Sequence, residues 1–283
     1  MNEVDFLADE ISLRYGNVKR ARGCFLYTEK GVRLTDMYQE AGRAILGWGG
    51  GSAFTMFKNS LERGATGSYN TGFTPRITKA VNDLLASNRK VYAFTEKQQA
   101  LKFGLMVSKD STSFWKPWAG VDWRNISSVI IEPPLPWTAS YCFLAVLDTP
   151  ENEVILSQFE SSAEINLSSA RIPAPFAAAI TRSFYNMIQA LQERKETDWF
   201  IYDTVVTKYW TRKGPYLYPK VSKENYGKFI LHCLDNEIAI SPVYEIPSIV
   251  PFGADKGVFT KLKNNPFAES VSSSESAEEK TKA

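Results

Sequence analysis

Glu132 and Asp148 follow directly on two continuous apolar runs, SSVII (127–131) and CFLAVL (142–147), that read as buried strands. A carboxylate leaving a buried strand of an open parallel sheet faces the ligand crevice, where it can act as a general acid or base. The same position also begins an ordinary turn, so both readings stand. Thr95 follows the short strand VYAF (91–94) and precedes the helical EKQQALKFGLMV (96–107), which makes it an N-cap candidate. WKPWAGVDW (115–123) carries Trp115, Trp118 and Trp123, either as a site for an uncharged small ligand or as a loop pinned to the core. From Pro117 to Arg194 there is no lysine, although Lys97, Lys102, Lys109 and Lys116 lie just before the gap, on or after a helix whose spacing reads as a solvated face. The single histidine, His232, lies on or beside the stripe Tyr226, Phe229, Ile230, Cys233 and Leu234 and reads as a packed or half-exposed helical residue. With no G-x-S-x-G, no H-E-x-x-H and no C-x-x-C, neither a serine hydrolase nor a zinc site has its reagents. Cys24, Cys142 and Cys233 are odd in number and widely spaced, as expected of reduced buried thiols.

These residues need a scaffold, and the chain can supply one. Its 283 residues, 44% hydrophobic and 13% aromatic, suffice for a substantial core. A formal charge of +2 offers no field to steer nucleic acid or a membrane surface. The acidic start, MNEVDFLADEISLRYG, is unlike a signal peptide, no apolar run is long enough to span a bilayer, and a cytoplasmic protein is expected. The pattern predicts a helix over 3–15, a hairpin over 24–37 around Thr28-Glu29-Lys30-Gly31, and a helix over 53–64 ending at Gly64. A further helix is expected through about Ser87, with Thr74 as N-cap and Pro75 at N1. The runs before Glu132 and Asp148 are expected to be parallel strands covered on both faces. A long helix over 175–195 follows, then helices over 223–235 and near 256–264, a short strand at 238–240 between them, and a Ser/Glu/Lys-rich disordered tail from Ala268.

Several segments, taken in order, resemble the class III aminotransferases, pyridoxal-phosphate enzymes of fold type I. RARGCFLYTEKGVRLTDMYQEAGRAILGWG (20–49) is similar to their N-terminal Gly-aromatic-Leu-x-Asp-x-x-Gly hairpin and following turn, with Gly23, Leu26, Gly31, Asp36, Leu46 and Gly47 in the same order. AFTEKQQALKFGLMV (93–107) resembles the Asn-Ser-Gly-Thr-Glu-Ala loop and helix, and ISSVIIEPP (126–134) the Ala-Ala-Val-Ile-Val-Glu-Pro strand. FLAVLDTPENEV (143–154) resembles the strand with Asp-Glu-Val, and SARIPAPFAAAITRSFYNMIQAL (169–191) the Gly-Asn-Pro-Leu-Ala-Ala-Ala helix.

The resemblance implies a reduced fold type I architecture of the α/β class, with a central, mostly parallel sheet covered by helices and a small α+β domain formed from both termini. Expected boundaries are 1–70 and 196–267 for the small domain, 71–195 for a shortened large domain, and 268–283 for the tail. It assigns Thr95 to the cofactor phosphate and Asp148 to the pyridine nitrogen, both as vestiges. Phe94 stands where the family has the phosphate-binding glycine, and the lysine-free stretch covers the place of the Schiff-base lysine. That lysine carries both the nucleophilic exchange and the proton transfer of the family's chemistry. The expectation is therefore a non-catalytic homologue without cofactor, a binding or assembly protein that pairs with itself as a homodimer or with an active aminotransferase relative. The alternative is an active pyridoxal-phosphate enzyme with a remodelled site built from Glu132, Asp148 and one exposed lysine.

Overall fold

A computed structural model describes residues 3–108, 111–138, 141–161 and 169–268. The expected disordered tail, apart from Ala268, lies outside the described residues, as does Lys109. The first part of the chain gives helix α1 (Glu3–Tyr15), strands β1 (Val18–Arg22), β2 (Phe25–Thr28) and β3 (Arg33–Asp36), and helices α2 (Gly51–Glu62) and α3 (Phe73–Leu85). The middle gives strand β4 (Arg89–Phe94), helix α4 (Lys97–Val107), strands β5 (Thr112–Phe114), β6 (Ser128–Ile131) and β7 (Cys142–Leu147), and helices α5 (Pro150–Ser161) and α6 (Ala174–Glu193). The remainder gives helices α7 (Glu196–Phe200) and α8 (Asp203–Tyr209), strands β8 (Trp210–Lys213) and β9 (Tyr216–Pro219), helix α9 (Lys223–Asp235), strands β10 (Ile238–Ala239) and β11 (Ser248–Ile249), and helix α10 (Thr260–Asn264).

The chain divides into two compact units. Of the described residues, one takes those up to Arg20, Phe25–Tyr38 and those from Phe200 onward; the other takes Ala21–Cys24 and those of Gln39–Trp199. In the first unit, β10 from the C-terminal part pairs in parallel with β3 from the N-terminal part, so both ends of the chain build one sheet, of order β1-β2-β3-β10. The β2–β3 hairpin forms as the turn residues predict, with the Gly31 N–H donating to Thr28 O at 3.1 Å and Gly31 at φ +78°. The α9 stripe is buried at all five expected positions, Tyr226, Phe229, Ile230, Cys233 and Leu234. A second, antiparallel sheet runs β11-β9-β8.

The second unit is an α/β/α layer around the sheet β4-β7-β6-β5. On one face Tyr92, Phe94, Ile130, Cys142, Leu144 and Val146 pack with Ala100 and Val107 of α4 and Leu156 of α5. The other face meets α6, where the Phe143 and Phe184 rings lie 5.8 Å apart. Both faces are covered, which is why β6 and β7 have unbroken apolar sequences.

Three expectations are corrected here. The pairings are mostly antiparallel, since β7 runs against both β4 and β6 and only β5–β6 is parallel. The small domain's first segment ends near residue 38 and not 70, because α2 packs along α6. That packing includes Ser52 Oγ donating to Asn186 Oδ1 at 2.9 Å and the Phe57 and Phe176 rings 5.2 Å apart. Helix α3 starts at Phe73 after Gly72 (φ +65°), so Thr74 lies inside its first turn and caps nothing.

Candidate functional site

The direction of β7 decides which side chains can meet. Strands β4, β5 and β6 share one direction, and their C-terminal ends lie together; β7 runs back, so its C-terminal end lies at the opposite edge. Arg89 pairs with Leu147 at one end of the β4–β7 ladder and Phe94 with Cys142 at the other. Thr95 and Asp148 are therefore roughly 20 Å apart at about 3.3 Å per strand residue. They do not belong to one site. Glu132 and Asp148, expected side by side at one crevice, are separated in the same way.

At the end that carries Thr95, the first residue of α4 reaches across the sheet. Lys97 Nζ stands 2.6 Å from Glu132 Oε2 and 4.8 Å from the centroid of the Phe114 ring. Both partners are well exposed, at 49% and 36% of their side-chain surface, so the pair contributes little to stability. The geometry is that of a solvated ion pair. Thr95 is exposed, and the cap position of α4 is Glu96, so the expected Thr95 cap is not formed. Phe94, where the resemblance would have glycine, is 3% exposed and stacks on Phe103 with centroids 5.5 Å apart. Cys142 Sγ lies 3.8 Å from the Phe94 carbonyl oxygen, and burial pushes its thiol up to about 12. Such a thiol is a core group and no nucleophile near neutral pH.

At the opposite end Asp148 is exposed and closes a local clasp. Its N–H donates to Asn88 O at 3.0 Å, and Asn88 Nδ2 donates to Asp148 Oδ2 at 3.0 Å. Next to it Arg89, which the sequence reading passed over, is 2% exposed. Its guanidinium donates to Ser87 Oγ at 2.7 Å, Trp123 O at 2.7 Å and Ala145 O at 3.1 Å, and burial lowers it to about 10. A basic residue opening an otherwise apolar strand was the available signal. Its carbonyl partners make it a structural tie between β4, β7 and the loop before β6.

The tryptophans do not form one wall. Trp115 N–H donates to Ile130 O at 2.8 Å, at the C-terminal ends of β5 and β6, while the Trp123 carbonyl accepts from Arg89 at the other edge. Trp118, at φ +56°, packs edge-on against Trp199 at 5.3 Å with Arg194 over its ring at 5.6 Å. These contacts describe a loop pinned to the core. His232 is half-exposed, with Nε2 2.9 Å from Asn265 O. Among the described residues no cluster of His, Cys, Asp or Glu could hold a metal, and no helix is long and apolar enough to cross a membrane.

No protein-family profile matches the sequence. Two uncharacterised proteins are similar to it along most of their length. One, from Treponema pallidum, is 29% identical and covers 86% of this chain and 91% of its own. The other, from Borreliella burgdorferi, is 25% identical and covers 89% and 90%. Among solved structures, acetylornithine aminotransferase from Elizabethkingia anophelis superposes with a TM-score of 0.64 at 10% identity, covering 93% of this chain and 97% of that one. Ornithine aminotransferase from Toxoplasma gondii gives 0.65 at 9% identity, covering 93% and 94%. The fold is that of the class III aminotransferases. The aminotransferase fold is thus kept over nearly the whole chain, while Thr95 and Asp148 lie at opposite edges of the sheet. A pyridoxal phosphate held between Thr95 and Asp148 would have to span opposite edges of the sheet. Phe94, at the place of the family's phosphate-binding glycine, has its ring packed in the core beside Phe103. Thr95 and Asp148 do not fit one pyridoxal phosphate between them.

Proposed function

We propose that this chain is a non-catalytic protein on an aminotransferase fold, serving as a binding or assembly component in the cytoplasm and pairing with a second copy of itself. The observation that carries this reading is the reversed β7, which leaves Asp148 clasped to Asn88 at the edge away from Thr95. The burial of Phe94 and the lysine-free sequence from Pro117 to Arg194 support it independently. Lys97 is the lysine that pairs with Glu132 at the C-terminal strand ends, and its engagement there argues for a surface ion pair.

The test is direct. Purified protein mixed with pyridoxal phosphate should show no absorbance band beyond that of the free aldehyde and the scattered Schiff bases of surface lysines. Borohydride followed by peptide mass spectrometry should find no single stoichiometric adduct. A unique adduct, on Lys97 or any other lysine, together with transamination of an amino donor would overturn the reading in favour of a remodelled enzyme. Light scattering after size exclusion should give twice the 31.8 kDa chain mass, and a monomer at micromolar concentration would remove the pairing.

A further inference from the structure

On the face of β4 that bears Val91 and Ala93, the second unit holds a cavity of about 660 Å³. This lies within the range of about 300–1,000 Å³ typical of small-molecule sites. Its apolar floor is the second face of the sheet, Val91 and Ala93 of β4 and Phe143 of β7, with Ile77 of α3 beside it. Its rim is polar, with Asn70, Thr71, Thr74, Thr78 and Ser169. Among the described residues Arg171 is the charged member of the lining, and no described carboxylate shares the cavity with it. Among the described residues no acidic side chain pairs with Arg171, whose Nη2 donates to the Ser68 carbonyl. One carbonyl uses one of the five guanidinium donors, leaving the others for a ligand.

The walls are fixed by backbone bonds. The Ala170 N–H donates to Ala93 O at 2.7 Å and the Ala93 N–H donates to Ser169 Oγ at 2.9 Å, so the segment bearing Arg171 is tied to the edge of β4. Helix α3 begins in the same wall at Gly72, whose lack of a side chain leaves the first-turn amides uncapped and adds a weak preference for negative charge. The combination of an apolar floor, a hydroxyl-bearing rim and one unneutralised guanidinium selects a definite chemistry.

We propose that this cavity binds a small organic anion, its carboxylate or phosphate held by Arg171 and its compact apolar body laid on Val91, Ala93 and Phe143. The cavity lies toward the end of β4 that carries Thr95 and at the opposite end of the strand from Asp148, and its occupancy does not depend on the chain being catalytically silent. Phenyl phosphate, which has no aldehyde and cannot form a Schiff base, is the probe, with benzyl alcohol and inorganic phosphate as its apolar and charged halves. Calorimetric titration should show phenyl phosphate binding more tightly than either half. Arg171→Met, at an exposed position that the fold does not need, should weaken it by about tenfold or more, the scale of a lost charge-assisted contact. Thr78→Trp, which fills the cavity, should abolish binding, with circular dichroism confirming that both variants are folded. No binding of phenyl phosphate at millimolar concentration, or equal affinity in wild type, Arg171→Met and Thr78→Trp, would overturn the proposal. A borohydride-stable pyridoxal adduct would refute the non-catalytic reading and leave the phenyl phosphate result untouched.

Discussion

Replacing Phe94 with glycine asks whether the aminotransferase cradle is merely blocked or has been absorbed into the core. Phe94 is 3% exposed, stacks on Phe103 at 5.5 Å and sits in a cluster with Ile130, Leu144 and Ala100. Truncating a buried phenylalanine to alanine costs about 3–5 kcal/mol, because the transfer energy and the cavity add. Glycine in a strand interior costs about 0.5–1 kcal/mol more than alanine. The expected loss for Phe94→Gly is therefore about 4–6 kcal/mol, comparable with the whole stability of many domains. Phe94→Leu, which keeps most of the apolar volume, should lose roughly 1 kcal/mol and remain folded for comparison. Urea titration followed by tryptophan fluorescence would measure both, and pyridoxal phosphate titration would be run on whichever variant is folded. Neither should acquire a specific Schiff-base band, because Asp148 stays at the far edge. A loss below about 2 kcal/mol for Phe94→Gly would refute the burial argument, and a specific cofactor band in either variant would show that one side chain alone closes the site.

Asp148→Asn should leave stability within about 1 kcal/mol of wild type, since its clasp with Asn88 is exposed, and a loss above about 3 kcal/mol in urea titration would mean that Asp148 does more than close a turn. Gly104→Ala should destabilise by about 1–3 kcal/mol despite its better helix propensity, because a Cβ there would lie 2.7 Å from Thr112 Cγ2; a more stable variant by thermal melting would refute this. At pH 8 a thiol reagent should leave native protein unlabelled and label all three cysteines only after unfolding, since each is buried. Cys142, at about 12 when folded against 9.0 for an ordinary thiol, favours the folded state fully below pH 9 and loses that contribution as pH rises toward 12. Wild type should therefore lose stability over that window more steeply than Cys142→Ala, and parallel pH profiles would contradict it.

Much of the fold was legible because local chemistry and tertiary packing agree. The α9 stripe, the α6 run and the Gly31 turn each carry a periodicity or a backbone demand that one structure satisfies. Helix α5 has no counterpart among the expected elements although Pro150, Glu151 and Glu153 mark a helix start, because PENEV (150–154) also continues the likeness to the Asp-Glu-Val strand. The first boundary was misplaced because α2 looks like part of an N-terminal arm until its aromatic contact with α6 is known. The cavity around Arg171 had no sequence signal at all. It is assembled from α3, β4, β7 and the segment before α6, and no motif spacing reports such a meeting.

The larger error concerned direction, and here the sequence held a usable signal. An unbroken apolar run reports that a strand is covered on both faces; it says nothing of which way the strand points. Connection length does. Parallel neighbours need a crossover of a dozen or more residues, usually with a helix, whereas antiparallel neighbours can be joined by a short turn. Residues 132–141, between β6 and β7, are ten in number and include Pro133, Pro134 and Pro136, which exclude a crossover helix. The thirteen residues 115–127, between β5 and β6, are long enough for the parallel pairing that forms. Applied to strand ends, the rule separates Glu132 from Asp148 before any coordinates are known. A carboxylate at the end of a buried strand is therefore a site candidate only once its connection fixes the strand's direction, and in this chain that condition leaves Glu132 beside Lys97 and removes Asp148.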